Sequence, residues 1–150
     1  MKLATSRILV QLSDQERSDI ERELAELNER LQHMQQQQEQ TSQHIQQLNR
    51  QRDQIMKQHN NSALLQNLNA CMSEQQQLLS ITNAAIAELA QLKHEVLDRM
   101  KTACRTKHSY EAAHHKEKHR LQREQEQQTQ RELDDLVGRR AAAHRAAGSA

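Results

Sequence analysis

The stretch Ile20-Glu-Arg-Glu-Leu24-Ala-Glu-Leu27-Asn-Glu-Arg-Leu31-Gln-His-Met34 decides the fold. Its seam residues fall at alternating intervals of four and three, and polar side chains fill almost every position between them. A helix turns once in about 3.6 residues, so this spacing gathers the apolar side chains into one narrow stripe. Such a stripe is the seam of a coiled coil. The same intervals continue through Gln38, Thr41, Ile45, Leu48, Arg52 and Ile55. They resume at Leu65 and run through Leu68, Met72, Gln75, Leu79, Thr82, Ile86, Leu89, Lys93, Val96, Met100 and Ala103. No stretch alternates with period two and β-branched residues are scarce, which excludes strands.

Between the two runs lies Gln58-His59-Asn60-Asn61-Ser62. Asn and Ser divert backbone hydrogen bonds from the helix and favour turns and caps. The spacing therefore predicts helix one over about 7–58, a turn at 59–62 and helix two over about 63–139. A short turn folds the second helix back antiparallel, pairing residues whose numbers sum to about 121. Leu9 then lies near residue 112, and Ile20 near residue 101. Helix two outruns helix one by about 30 Å. Gly138 and the segment AAAHRAAGSA mark a stop and a flexible Ala-rich tail over 141–150. The fold class is all-α: a long two-helix antiparallel coiled-coil hairpin, one domain over 1–140, with a longer, projecting C-terminal helix. Gln38, Thr41, Arg52 and Gln75 interrupt the seam near the tip. They either fix the register or leave the tip loosely packed for a partner.

Composition argues against a compact core. The 150 residues include no Phe, no Trp and one tyrosine, Tyr110, and only 35% are apolar. Ordinary globular domains hold roughly 45–50%. Lys and Arg number 21 against 20 Asp and Glu, a net charge of +1. That balance gives no dominant electrostatic partner such as DNA or an anionic membrane. No run of apolar residues is long enough to span a bilayer. The short apolar patch near the start is cut off by Gln11 and Asp14–Arg17 before a signal peptide could form. The chain therefore reads as cytoplasmic and unprocessed. Cys71 and Cys104 lie roughly 50 Å apart on one continuous helix, far beyond disulfide reach, and read as plain reduced residues.

Few residue sets suggest chemistry. His115 and His119 in His114-His115-Lys116-Glu117-Lys118-His119 have metal-ligand spacing, but a third ligand is absent and the two lysines oppose a cation. A solvated helix face is the simpler reading. Glu132, Asp134 and Asp135 are neighbouring carboxylates with nothing to drive their pKa values apart. There is no phosphate-cradling Gly loop and no room for a pocket between two helices. The expected chain is no enzyme and needs no cofactor or metal. The basic stretch Arg105–Arg123 is diluted by Glu111 and Glu117, and only Tyr110 could stack on a base, so no nucleic-acid partner is expected.

Three segments resemble the flagellar export protein FliJ family. The opening, Leu9-Val-Gln-Leu12-Ser-Asp-Gln-Glu16-Arg-Ser-Asp19-Ile-Glu-Arg22-Glu-Leu24, is similar to that family's L..L...E..D..R.L pattern. Leu64-Leu65-Gln-Asn-Leu68-Asn-Ala-Cys71-Met72-Ser-Glu-Gln75 resembles its F[LI]..L..AI..Q stretch. Arg131-Glu-Leu133-Asp134-Asp135-Leu136-Val-Gly-Arg139 is similar to its LDEFA-type box. Leu64 stands where the family usually has Phe, and Asp135 and Leu136 replace Glu and Phe.

The resemblance implies the central stalk of the flagellar type III export apparatus, and through it roles in flagellum biogenesis, protein transport and chemotaxis. It implies three partners: the hexameric export ATPase FliI, the export gate FlhA and the export chaperones. Leu64, Leu68, Cys71 and Gln75 would fall in the gate-binding tip. Leu133, Asp134, Asp135, Leu136 and Arg139 would fall in the ATPase-binding end. The protein would be a monomer in isolation, peripheral on the cytoplasmic face of the inner membrane through its partners. A YscO-like stalk of a virulence secretion system and a structural homodimeric coiled-coil scaffold are the rival readings.

Overall fold

A computed structural model describes residues 2–58 and 62–148. Helix α1 spans Leu3–Lys57 and helix α2 spans Ser62–Gly148, and the two form an all-α helical hairpin without strands among the described residues. The expected turn at 59–62 lies outside the described residues, apart from Ser62, which is the first residue of α2. The Gln58 N–H donates to the Ile55 carbonyl at 3.2 Å. That shorter bond tightens the last turn of α1 and satisfies one of its orphan carbonyls.

Both helices run further than their sequence signals predict. Helix α1 begins at Leu3 rather than near Arg7, because the seam spacing continues back through Val10 and Ser6 to Leu3. Helix α2 passes through Gly138 and includes residues 141–148, expected to form a flexible tail. Alanine is the best helix former, and a lone glycine costs only about 1 kcal/mol against it. Arg145 in the last turn also complements the negative end of the helix dipole. Packing further divides the chain into two units, Arg17–Thr102 and Met1–Glu16 with Ala103–Ala150, where one hairpin domain is expected from the sequence.

In the unit Arg17–Thr102, none of the expected seam positions from Ile20 to Ile55, or from Leu65 to Thr82 and on to Met100, is exposed. Ile20, Leu27, Leu48, Leu68, Met72 and Val96 are buried. Leu48, Leu68 and Met72 form one cluster, with Ile55 packed against it. Full burial of each such side chain stabilises the pairing by about 1.5–3 kcal/mol. The pairs that cross between helices keep the expected antiparallel register. Arg99 Nη1 donates to both carboxylate oxygens of Glu23, at 3.1 and 2.9 Å, and Gln38 Nε2 donates to Asn83 Oδ1 at 2.6 Å.

The polar seam residues are accommodated in different ways. Gln38 bonds across the seam, which fits a role in register. Thr82 is buried and returns its hydroxyl proton to the Leu78 carbonyl at 2.8 Å, as helical threonines do. Arg52 is half-buried, and its Nε is buried without a partner among the described residues. The Arg52 Nη2 lies 3.8 Å from Asp53 Oδ1, so the tipward seam mixes a well-made cluster with an arginine whose charge is paired but whose Nε lacks a hydrogen bond.

The other unit is paired by small and polar residues. Its seam continues the same intervals through Leu3, Ser6, Val10 and Ser13 on α1, and through Ala103, Lys107, Tyr110, His114, Glu117 and Leu121 on α2. Ser6 is fully buried. Its Oγ donates to the Leu3 carbonyl at 2.8 Å and lies 2.9 Å from His114 Nδ1. Lys107 pairs with Asp14 across the helices and with Glu111 on its own. Because Ser6 is fully buried, Ser6→Leu should lower stability by about 1–3 kcal/mol through overpacking. Ser6→Ala should cost no more than about 1.5 kcal/mol for the lost hydrogen bonds. Urea unfolding followed by circular dichroism measures both, and a stabilising leucine would contradict the packing described.

Candidate interaction surfaces

The first surface is the far part of α2. From Gln122 to Arg140 every side chain is exposed, so nothing in the described residues covers this helix. Leu133, Leu136 and Val137 are 51%, 57% and 65% exposed. Spaced i, i+3 and i+4, they share one helix face. Apolar side chains so arranged are the anchors with which a helix enters a partner's groove. Asp134, Asp135 and Arg139 are exposed as well, and Gln130 Nε2 donates to Asp134 Oδ1 at 3.1 Å. The family-like box assigned five of these residues but gave Val137 no role. Its signal is the four-residue step from Leu133.

The residues assigned to the tip do not form one surface. Leu64 and Cys71 are exposed. Leu68 is buried against Leu48 and Met72, and Gln75 is half-buried on the seam. Leu68 obeys the seam interval, and seam packing takes precedence because a buried leucine gains more than an exposed one.

A third surface lies beside the seam in Arg17–Thr102. Leu78, Ile81 and Leu92 are 47%, 68% and 46% exposed, and Ala85 is half-buried among them. Their intervals of three, four and seven make a second apolar stripe next to the first, overlooked when only one seam is sought. A groove of about 820 Å³ lies at its Ala85–Leu92 end, floored by Met34, Ala85, Leu89 and Leu92 and edged by Glu26, Glu29, Arg30, His33 and Glu88.

The histidines separate. His115 and His119 stand exposed on α2, while His114, expected on the same solvated face, turns into the seam against Ser6. No group of three His, Cys, Asp or Glu side chains suited to a metal occurs among the described residues. Arg120 grips Glu117 with two bonds, 2.6 and 3.1 Å, and also pairs with Glu124. The hydrogen bond from Arg120 holds the Glu117 carboxyl below its ordinary value of 4.5, and the same bond raises the guanidinium in turn. Lys107 and Arg120, two cations of the basic stretch, are thus already matched by carboxylates. Tyr110 is half-buried on the seam. No described helix is long and apolar enough to cross a membrane. Comparison with protein-family models, with curated proteins and with solved structures returns no match.

Proposed function

We propose that the chain is a non-enzymatic central stalk of a flagellar type III export apparatus, joining the export ATPase ring to the export gate. The observation that carries this reading is the exposed triad Leu133, Leu136 and Val137 on a stretch of helix that nothing among the described residues covers. An uncovered helix with an apolar face is what a central pore or groove can grip, and binding energy concentrates in a few such anchors. The three motif-like segments supply the choice of apparatus, and the hairpin agrees with it. The ATPase hexamer engages the box Leu133, Asp134, Asp135, Leu136 and Arg139. The gate meets Leu64 and Cys71 at the tip, and emptied chaperones are handed on along the paired helices. Attachment to the inner membrane runs through these partners. Adding the chain to its cognate ATPase should raise both hydrolysis and the hexamer fraction seen by light scattering. Unchanged hydrolysis and unchanged mass would remove the proposal.

A further inference from the structure

Leu64, Cys71, Leu78, Ala85 and Leu92 follow one another at seven-residue intervals along α2. That is the repeat of the seam itself, so the five keep to one line beside it for roughly 40 Å. Ala85 is half-buried and the other four are exposed. The matching positions on the opposite flank of the seam are Asn69, Gln76 and Asn83, so the apolar line is one-sided. An apolar line with a heptad repeat fits another α-helix. Its order of sizes also reads the same in both directions: large, small, large, small, large. A surface with that property is complementary to itself when turned about a two-fold axis.

We infer that two copies of this chain pair antiparallel through this line, with the two-fold axis at Leu78. Residues whose numbers sum to about 156 then meet: Leu78 with its twin, Cys71 with Ala85, and Leu64 with Leu92. The groove decides the direction, because it occupies only one half of the line. Antiparallel, the groove over Ala85 to Leu92 lies opposite residues 64–71 of the second copy, a stretch of the same length. Its floor receives the exposed Leu64, and symmetry fills both grooves alike. Parallel, groove would face groove, leaving volume without partner atoms. It would also set one acidic rim against another, since Glu26, Glu29 and Glu88 outnumber Arg30 there, with His33 beside them. Residues 62–73 carry no charge, so the antiparallel pairing sets none against that rim. On α1 the residues beside the line are Gln37, His44 and Gln51, and the axis brings Gln37 next to Gln51 and His44 next to its twin. Glu74 comes beside Ile81 of the second copy, and Lys57 comes level with Glu95.

Five anchors a copy fall well short of the roughly 20–30 residues a side of a stable interface, so the dissociation constant is on the order of 50 µM. This weak pair departs from the monomer that the family resemblance implies. It covers Leu64 and Cys71, so paired chains cannot offer them to the gate. The inference does not rest on the stalk reading. Its test contains neither ATPase nor gate, so either can fail while the other stands.

The test uses full-length chains with Cys71→Ser and Cys104→Ala, into which single new cysteines are placed and mildly oxidised at about 200 µM, above the expected dissociation constant. Leu78→Cys should link to its twin as covalent dimers, because the two meet at the axis. Leu64→Cys with Leu92→Cys should link as well, whereas neither alone should, each lying roughly 40 Å from its own twin. Gln76→Cys, exposed on the other flank, sets the background. Sedimentation velocity on the unaltered chain from about 5 to about 500 µM should show the mass rising from one chain to two and no further. Leu78→Asp should weaken association at least about tenfold. Leu78 is 47% exposed, so helix content by circular dichroism should be unchanged. A single mass at every concentration overturns the inference, as does association that survives Leu78→Asp. Leu78→Cys linking no faster than Gln76→Cys overturns it too. Leu64→Cys alone linking as fast as Leu78→Cys would mark a parallel pairing, and overturns it equally.

Discussion

Replacing Met72 with aspartate is expected to destabilise the paired helices of Arg17–Thr102 by about 3–5 kcal/mol, among the largest effects a single substitution produces. Met72 is 6% exposed and belongs to the cluster with Leu48 and Leu68. The substitution removes its apolar burial, worth about 1.5–3 kcal/mol, and sets a carboxylate where water cannot reach it. Domains are stable by only about 5–15 kcal/mol, so much of the margin would go. The same replacement at Ile81, 68% exposed, should change stability by no more than about 0.5 kcal/mol. Urea titrations monitored at the helical band compare the two. Equal midpoints for both variants would mean that the stripe beside the seam, and not the seam, holds the helices together.

The second large effect concerns function. A chain ended after Lys118 should lose essentially all stimulation of the cognate ATPase while keeping its melting transition. The loss follows because the cut removes Leu133, Leu136 and Val137 together, and interface energy concentrates in such anchors. Stability is largely retained because, half-buried Leu121 and Ala141 apart, every described side chain that the cut removes is exposed and contributes little packing. Leu136→Asp with Val137→Asp in the full-length chain should reproduce the loss without removing any helix. Full stimulation by the truncated chain would move the ATPase contact elsewhere. Lost stimulation on truncation but not with the double aspartate would place it in the flanking charges.

The seam was readable because leucine, isoleucine and valine recur at intervals that only a helix converts into one face. The register was equally readable, since the Asn60–Asn61 midpoint fixes which residues meet; Glu23 with Arg99 and Gln38 with Asn83 follow from it. The same register holds in the first sixteen residues, where Asp14 meets Lys107 and Ser6 meets His114, but which side chains fill the seam there was not readable. Ser6 and Ser13 are buried in seam positions, yet a serine carries no apolar signal, and His114 sits among histidines that face water. The end of α2 was misplaced because Gly138 read as a stop, while the alanines after it favour helix more strongly than one glycine opposes it. The groove escaped notice for a different reason. Leu78, Ile81 and Leu92 look like scattered apolar residues until the seam is assigned, after which they form a second stripe. Leu68 shows the opposite hazard: a motif letter matched, but the position belongs to the core.

The antiparallel register of one chain folded on itself is the central claim, and paired spin labels test it most directly. Labels at positions 23 and 99, in a chain with Cys71→Ser and Cys104→Ala and diluted into unlabelled protein, should lie about 10–25 Å apart, since paired helix axes are about 8–10 Å apart. The two positions are 76 residues apart in the chain. In a straight helix paired only with other copies they would be separated by roughly 110 Å. A short distance that persists on dilution is the predicted result. A distance near the longer value, or a short one that vanishes on dilution, would contradict the hairpin and every surface assigned to it.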